Sequence, residues 1–228
     1  MDFNIRNFWL VEVFGVEFWI TQTIINTWLI MAFLVGGALL FRLKLRKMDD
    51  VPRGVQNVVE VMVEAFDGFL QSMGGDRAKI FGGWYFTVFL FILVSNFSGL
   101  IGLRPPTADW VTPAALAIAT FLLIQCAGIY YRGPGRYLKN FFEPNIVFFP
   151  LNLVGELARP ISLSFRLFGN ILAGLMLITM LYTLLPVVAR FVLPVPMHLF
   201  FDIFFGALQA VIFCALSLAY IGAASAEG

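Results

Sequence analysis

The chain has 228 residues, 60% of them hydrophobic and 13% charged, and its mean hydropathy of +0.88 lies far outside the range of soluble globular domains. Fifteen Lys and Arg against fourteen Asp and Glu leave a formal net charge of +1. No long run of like charges marks a polyanion-binding tail, so nucleic acid is not an expected partner.

A bilayer core of roughly 30 Å takes about 20 helical residues per crossing, so several spans use up the chain and leave no room for a large soluble domain. The expectation is a single all-α integral membrane domain over 1–228. Its first 19 residues carry Asp2, Glu12 and Glu17 against Arg6, which is not the basic start of a signal peptide, so the first span is expected to stay in the mature protein. That span covers 20–41, without a charge, and is followed by Arg42, Lys44, Arg46 and Lys47. Residues 53–73 place Val55, Val58, Val59, Met62, Val63, Phe66, Phe69 and Leu70 at helical spacing, with acids on the other face. They predict an amphipathic helix on the cytoplasmic surface, ended by Gly74 and Gly75.

A second span is expected over 80–103, then a turn at "LRPPTADW", with Thr112 and Pro113 as cap and first residue of a third span over 112–131. Arg132, Arg136 and Lys139 follow in a second basic loop. With Arg53, Arg77 and Lys79 they outweigh Arg6, Arg104 and Arg190 on the opposite side. The positive-inside rule then puts the N-terminus outside and the basic loops in the cytoplasm. Two long apolar segments remain, 146–189 and 195–224, joined by "RFVLPVP", whose prolines suit a sharp turn. The first runs outward and the second returns, leaving the C-terminus cytoplasmic. Cys126 and Cys214 both fall in apolar runs and read as small buried hydrophobes.

The segment 146–189 poses a question of charge. If wholly helical it is about 60 Å long at roughly 1.5 Å per residue, twice the hydrocarbon thickness, so it must tilt steeply or lie partly along the membrane. Asn152, Glu156, Arg159, Leu163, Arg166 and Asn170 step by three and four, drawing a polar stripe along an apolar rod, with Pro160 inside it. An arginine in the membrane costs about 3 kcal/mol on insertion scales and calls for a compensating charge or an ion path. Residues 167–189 also make an adequate span alone, in which case Arg159 and Arg166 are only its cytoplasmic flank.

The last segment carries few polar groups, chiefly His198, Asp202, Gln209, Ser217 and Tyr220. A carboxylate there is costly unless protonated or paired, and a group so held can take up and release a proton. His198 precedes Asp202 by four and shares its face, and Gln209 follows by seven. Two plainer roles stand beside these: a headgroup-level histidine for His198 and a helix-to-helix hydrogen bond for Gln209. No P-loop, paired Cys and His ligand set or G-x-S-x-G motif is present. The chain is expected to have no cofactor, no metal and no catalytic site of its own.

"ARPISLSFRLFGNILAG" followed by "GALQAVIFCALSLAYIGAA" resembles the membrane-embedded a subunit of F-type rotary ATP synthases, and "LIGLRPPTADWVTPAALAIATF" extends the likeness to about residues 80–228. The resemblance implies five membrane helices, the last two long and tilted, in an ion-translocating stator. Its partners would be the c-subunit ring, b-type peripheral stalk subunits, the rest of the synthase and the bilayer, in the bacterial plasma membrane. It implies that Arg166 faces the ring carboxylates, with Asn170 and Gln209 as polar neighbours. Asp202, Glu156, His198 and Asn152 are candidates for aqueous half-channels. The position nine residues after Arg166, often acidic or histidine in that family, is Leu175, so the usual acid and histidine pair is incomplete. The family uses H+ or Na+, and H+ is favoured on frequency alone. A stand-alone secondary transporter or a scaffolding subunit without an ion path are the other readings.

Overall fold

The structure is a computed structural model, and it describes residues 7–13, 16–44, 54–143, 145–186 and 194–225. The turn expected at "RFVLPVP" lies mostly outside the described residues, as do Arg6, Arg46, Lys47, Arg53 and Arg190.

Among the described residues, five helices are long and apolar enough to cross a membrane. They are α1 (Gln22–Lys44), α3 (Gly82–Phe97, extended at both ends by 3-10 turns), α4 (Val111–Arg132), α6 (Phe149–Leu184) and α7 (Pro194–Ser225). The amphipathic α2 (Val55–Gly74) and a short α5 (Pro134–Asn140) are the other α-helices among the described residues. Before α1, for which the sequence carries no assigned element, β1 (Asn7–Val13) and β2 (Val16–Thr21) pair as an antiparallel hairpin, with Leu10 opposite Trp19 and Glu12 opposite Glu17. Both strands are rich in aromatic and β-branched residues, which suit a pleated surface.

Helix limits differ slightly from the sequence expectation. α2 includes Gly74 and stops at Gly75, whose φ of 73° is open to glycine and strained for other residues. α4 begins at Val111, one residue before Thr112, with the Thr112 N–H bonded to the Asp109 carbonyl. α6 runs unbroken through Pro160 for 36 residues. Its length of about 54 Å exceeds the hydrocarbon core, so it must tilt or run partly along the interface. Cys214 is buried, but Cys126 is exposed. In a membrane helix the lipid-facing and packed sides are both apolar, so hydropathy cannot distinguish them.

The chain groups into two compact units. One comprises 1–44, 90–112 and 167–210. In it the buried Asn26 of α1 donates from Nδ2 to the Arg104 carbonyl at 2.9 Å, tying α1 to the turn after α3. Most other α1 side chains face outward, among them Leu29, Phe33 and Leu40. α7 here is π-helical over Leu199–Phe205 before returning to α geometry at Gly206.

The other unit comprises 45–89, 113–166 and 211–228. α2 turns Phe66 and Leu70 inward, and Phe66 meets Phe86 and Phe89 of α3 at ring-centroid distances of 5.1 and 5.5 Å. Val58, Met62 and Val63, on the same apolar side in sequence, stay exposed. The end of α7 is held by two guanidinium groups: Arg77 donates to the Ser225 carbonyl, and Arg132 Nη2 donates to the Ala223 carbonyl at 2.5 Å. Cations at a helix C-terminus meet the negative end of its dipole and its unpaired carbonyls.

Glycine permits the approach of α2 to α7. A Cβ on Gly74 would lie 2.5 Å from the Ala78 Cβ and 3.2 Å from the Leu218 carbonyl oxygen, and one on Gly222 would lie 3.3 Å from the Gly74 carbonyl oxygen. Gly74→Ala is therefore expected to destabilise the purified subunit by about 1–3 kcal/mol through overpacking. The lowered thermal midpoint should be absent in Gly83→Ala, where nothing lies within 4 Å of the added carbon.

Candidate functional site

The polar stripe of α6 is partnered over its first half. Asn152 Nδ2 donates to the carbonyls of Phe141 and Glu143, both at 3.0 Å. Glu156 pairs with Arg159 at 2.6 Å and accepts from Gln125 Nε2 of α4 at 3.3 Å. The Arg159 guanidinium also lies 5.0 Å from the ring centroid of Tyr220 on α7, a cation-π distance. Because Pro160 has no N–H, the Glu156 carbonyl lacks its i+4 helical donor.

A cleft with about 1370 Å³ of empty space is lined by Tyr137, Phe141, Glu143, Asn152, Glu156 and Arg159, with Leu151 and Gly155. Tyr137, on α5 outside the spans, packs so closely on α4 that a Cβ on Gly128 would meet its ring at 2.7 Å. Burial pushes its hydroxyl pKa up and the Glu156 charge adds to this, against Arg159 and Arg132, so the phenol remains a proton donor.

Arg166 follows on the same helix. It is exposed, and among the described residues it has neither an ion pair nor a hydrogen-bond partner. Its sequence neighbour Phe165 and Ile161 are also largely exposed, so the guanidinium stands on an otherwise oily face.

The second half of α6 and the start of α7 build the other polar cluster. Asn170 Nδ2 donates to Gln209 Oε1 at 2.7 Å. Gln209 is only 1% exposed, and its Nε2 has no acceptor among the described residues. His198 Nδ1 and Asp202 Oδ2 lie 2.6 Å apart, and the Tyr182 hydroxyl lies 3.5 Å from His198 Nε2. The Asp202 carboxylate sits against Gly99, where an added Cβ would come within 3.3 Å of it. Glycine there is what admits the acid.

A cleft with about 430 Å³ of empty space is lined by Asn96, Gly99, Asn170, Leu175, His198 and Asp202, with apolar and proline neighbours. A second, more open cleft with about 1300 Å³ of empty space includes Thr179, Tyr182 and Thr183, and shares His198 and Gly99 with the first. Hydroxyl, imidazole, carboxylate and amide groups thus follow one another, a sequence of donors and acceptors able to order water and pass a proton.

The structure brings Asn170, His198 and Asp202 to one cleft and bonds Gln209 to Asn170. It seats Asn152 and Glu156 in a different cleft, although the sequence grouped them with Asp202. Arg166 lines neither. Gln125, Tyr182, Asn96 and Gly99 were missed as site residues. An amide alone in a charge-free span was a usable signal for Gln125 and Asn96; Gly99 offered none.

A family profile described as ATP synthase A chain matches residues 24–222. ATP synthase subunit a of Moorella thermoacetica is 40% identical over 203 residues, covering 89% of each chain. The protein of Propionigenium modestum described as ATP synthase subunit a, sodium ion specific, is 34% identical over 89% of this chain and 73% of its own. ATP synthase subunit a 2 of Syntrophotalea carbinolica is 37% identical over 90% and 86%. With five membrane-length apolar helices and a profile match across nearly the whole chain, this protein belongs to the ATP synthase subunit a family.

Proposed function

We propose that this subunit carries ions through the stator of the synthase, with Arg166 as the fixed charge against which the c-ring carboxylates are exchanged. The observation that carries the reading is the exposed guanidinium on an apolar face, with no partner among the described residues. Two charges about 4 Å apart near a protein surface attract by about 4 kcal/mol at an effective dielectric of about 20. A deprotonated ring carboxylate is drawn to Arg166, and a free cation attempting to pass is repelled. The same charge thereby docks the rotor and seals the two access paths from each other.

In this reading one path runs by Tyr182, His198 and Asp202 to Asn170 and Gln209, and the other uses the cleft of Asn152, Glu156 and Tyr137. Leu175 offers no proton-carrying group, so His198 and Asp202 carry the titratable part of the first path, with water between polar groups. The ion is H+: an imidazole and a carboxylate in direct hydrogen bond exchange protons readily, whereas a hard metal cation prefers a cage of oxygen ligands. The sodium specificity in the printed name of the Propionigenium modestum protein belongs to that protein. We assign the N-terminus to the outside and the C-terminus to the cytoplasm of a bacterial plasma membrane, on the distribution of Lys and Arg. The b-type stalk subunits complete the stator, and lipid covers the apolar face of α1.

ATP-driven uptake into proteoliposomes containing the whole complex tests the central charge. Arg166→Gln is expected to abolish uptake with assembly intact, and normal uptake by the assembled mutant would overturn the mechanism. Asp202→Asn should slow uptake at neutral pH without removing it; rates equal to wild type at every pH exclude Asp202 from the path. Replacing Na+ by K+ on both sides should leave uptake unchanged, and a strict Na+ requirement would refute proton transport.

A further inference from the structure

Asn96 lines the cleft that holds His198 and Asp202, and with Thr107 and Gly206 it forms a cluster of non-titrating polar groups at its edge. Asn96, near the C-terminal end of α3, is 1% exposed, and Thr107 in the following turn is fully buried. Asn96 Nδ2 donates to the Gly206 carbonyl at 3.0 Å, and Asn96 Oδ1 accepts from Thr107 Oγ1 at 2.8 Å. A Cβ on Gly206 would lie 3.0 Å from the Asn96 Cβ, so the two backbones approach as closely as glycine allows. Gly206 is also where the π-helical segment Leu199–Phe205 gives way to α geometry.

We propose that Asn96 and Thr107 are positioning residues, which fix the Gly206 end of the π-helical segment and thereby set where Asp202 stands against Gly99. The inference rests on the reading of Asp202 as an ion-path residue. A junction between π and α geometry is a place where a helix can exchange one hydrogen-bond register for another. A side-chain amide bound to the junction carbonyl opposes that exchange. The Gly206 carbonyl only accepts, so the Asn96 amide must turn its NH2 group to it, leaving Oδ1 for the Thr107 hydroxyl. Removing the hydroxyl strands a buried acceptor, which costs more than the lost bond itself and loosens the brace.

The test is ATP-driven proton uptake by the reconstituted whole complex, expressed per assembled complex and followed across pH. Thr107→Val preserves shape and removes the hydroxyl; Thr107→Ser keeps the hydroxyl; Gly206→Ala leaves it in place but wedges a methyl group against Asn96. Among the described residues, the ionisable groups lining this cleft are His198 and Asp202, with the Tyr182 hydroxyl reaching His198 from α6.

Thr107→Val is expected to lower uptake roughly tenfold, short of the hundredfold that a full ångström of misplacement can cost, and to displace the pH profile. Thr107→Ser should restore both, and Gly206→Ala should displace the profile as the valine does. Added to Asp202→Asn, the valine should change uptake by less than about twofold, since the two act through one group. A loss uniform across pH and not restored by serine would overturn the inference. So would a valine effect that persists in full beside Asp202→Asn. If Asp202→Asn slows uptake while both Thr107→Val and Gly206→Ala behave as wild type, this inference falls alone. If Asp202→Asn itself changes nothing, the ion-path reading falls and this inference with it.

Discussion

Hydrocarbon offers no hydrogen-bond partner, so a polar side chain carried into it must find one within the protein or remain costly by several kcal/mol. That constraint orders the polar groups of this chain. Glu156 is held by Arg159 and Gln125, His198 by Asp202, Asn170 by Gln209, and Asn26 by the Arg104 carbonyl. Arg166 stands apart from these pairs: among the described residues it has no ion pair or hydrogen bond, and its permanent charge cannot be relieved by giving up a proton. In the mechanism proposed above, ring carboxylates would compensate that charge one after another.

Close backbone approach is the second requirement, and it falls on glycine. Gly99 makes room for an acid, Gly206 for an amide, and Gly74 with Gly222 for the approach of two helices. In a membrane, burial of apolar surface does not by itself drive helices together, so close packing and interhelical hydrogen bonds carry more of the association. The same economy explains why α1 is largely uncovered although it is as apolar as the others. Its inward contacts are restricted mainly to Thr23, Asn26 and Ile30.

Much of the helical framework was legible in the sequence, because a membrane span is a matter of length and composition. The stripe on α6 was legible as well, since a step of three or four residues fixes which side chains share a face. What the sequence withheld were contacts across long separations and side-chain destinations. Nothing local says that Asn96 meets Gly206, 110 residues away, or that Gly99 faces Asp202. Glu156 and Asp202 look alike as acids in apolar runs, yet one joins Arg159 and Gln125 and the other His198. The exposure of Cys126 was hidden for a related reason, because lipid and protein interior ask for the same residue types. The hairpin before α1 was obscured by an aromatic content that membrane interfaces and strands share.

The π-helical stretch of α7 gives the helix a spare residue. A π turn holds one residue more than the α turn it replaces. Loss of a single residue from Leu199–Phe205 can therefore be absorbed by tightening that coil, while the faces of the flanking α-helical turns keep their bearing. The same deletion in the regular coil beyond Gly206 would rotate every following side chain by about 100°. A one-residue change in length is thus absorbed best within the phenylalanine-rich stretch beside Asp202, which can alter the spacing between the His198–Asp202 pair and Gln209 without unravelling the helix.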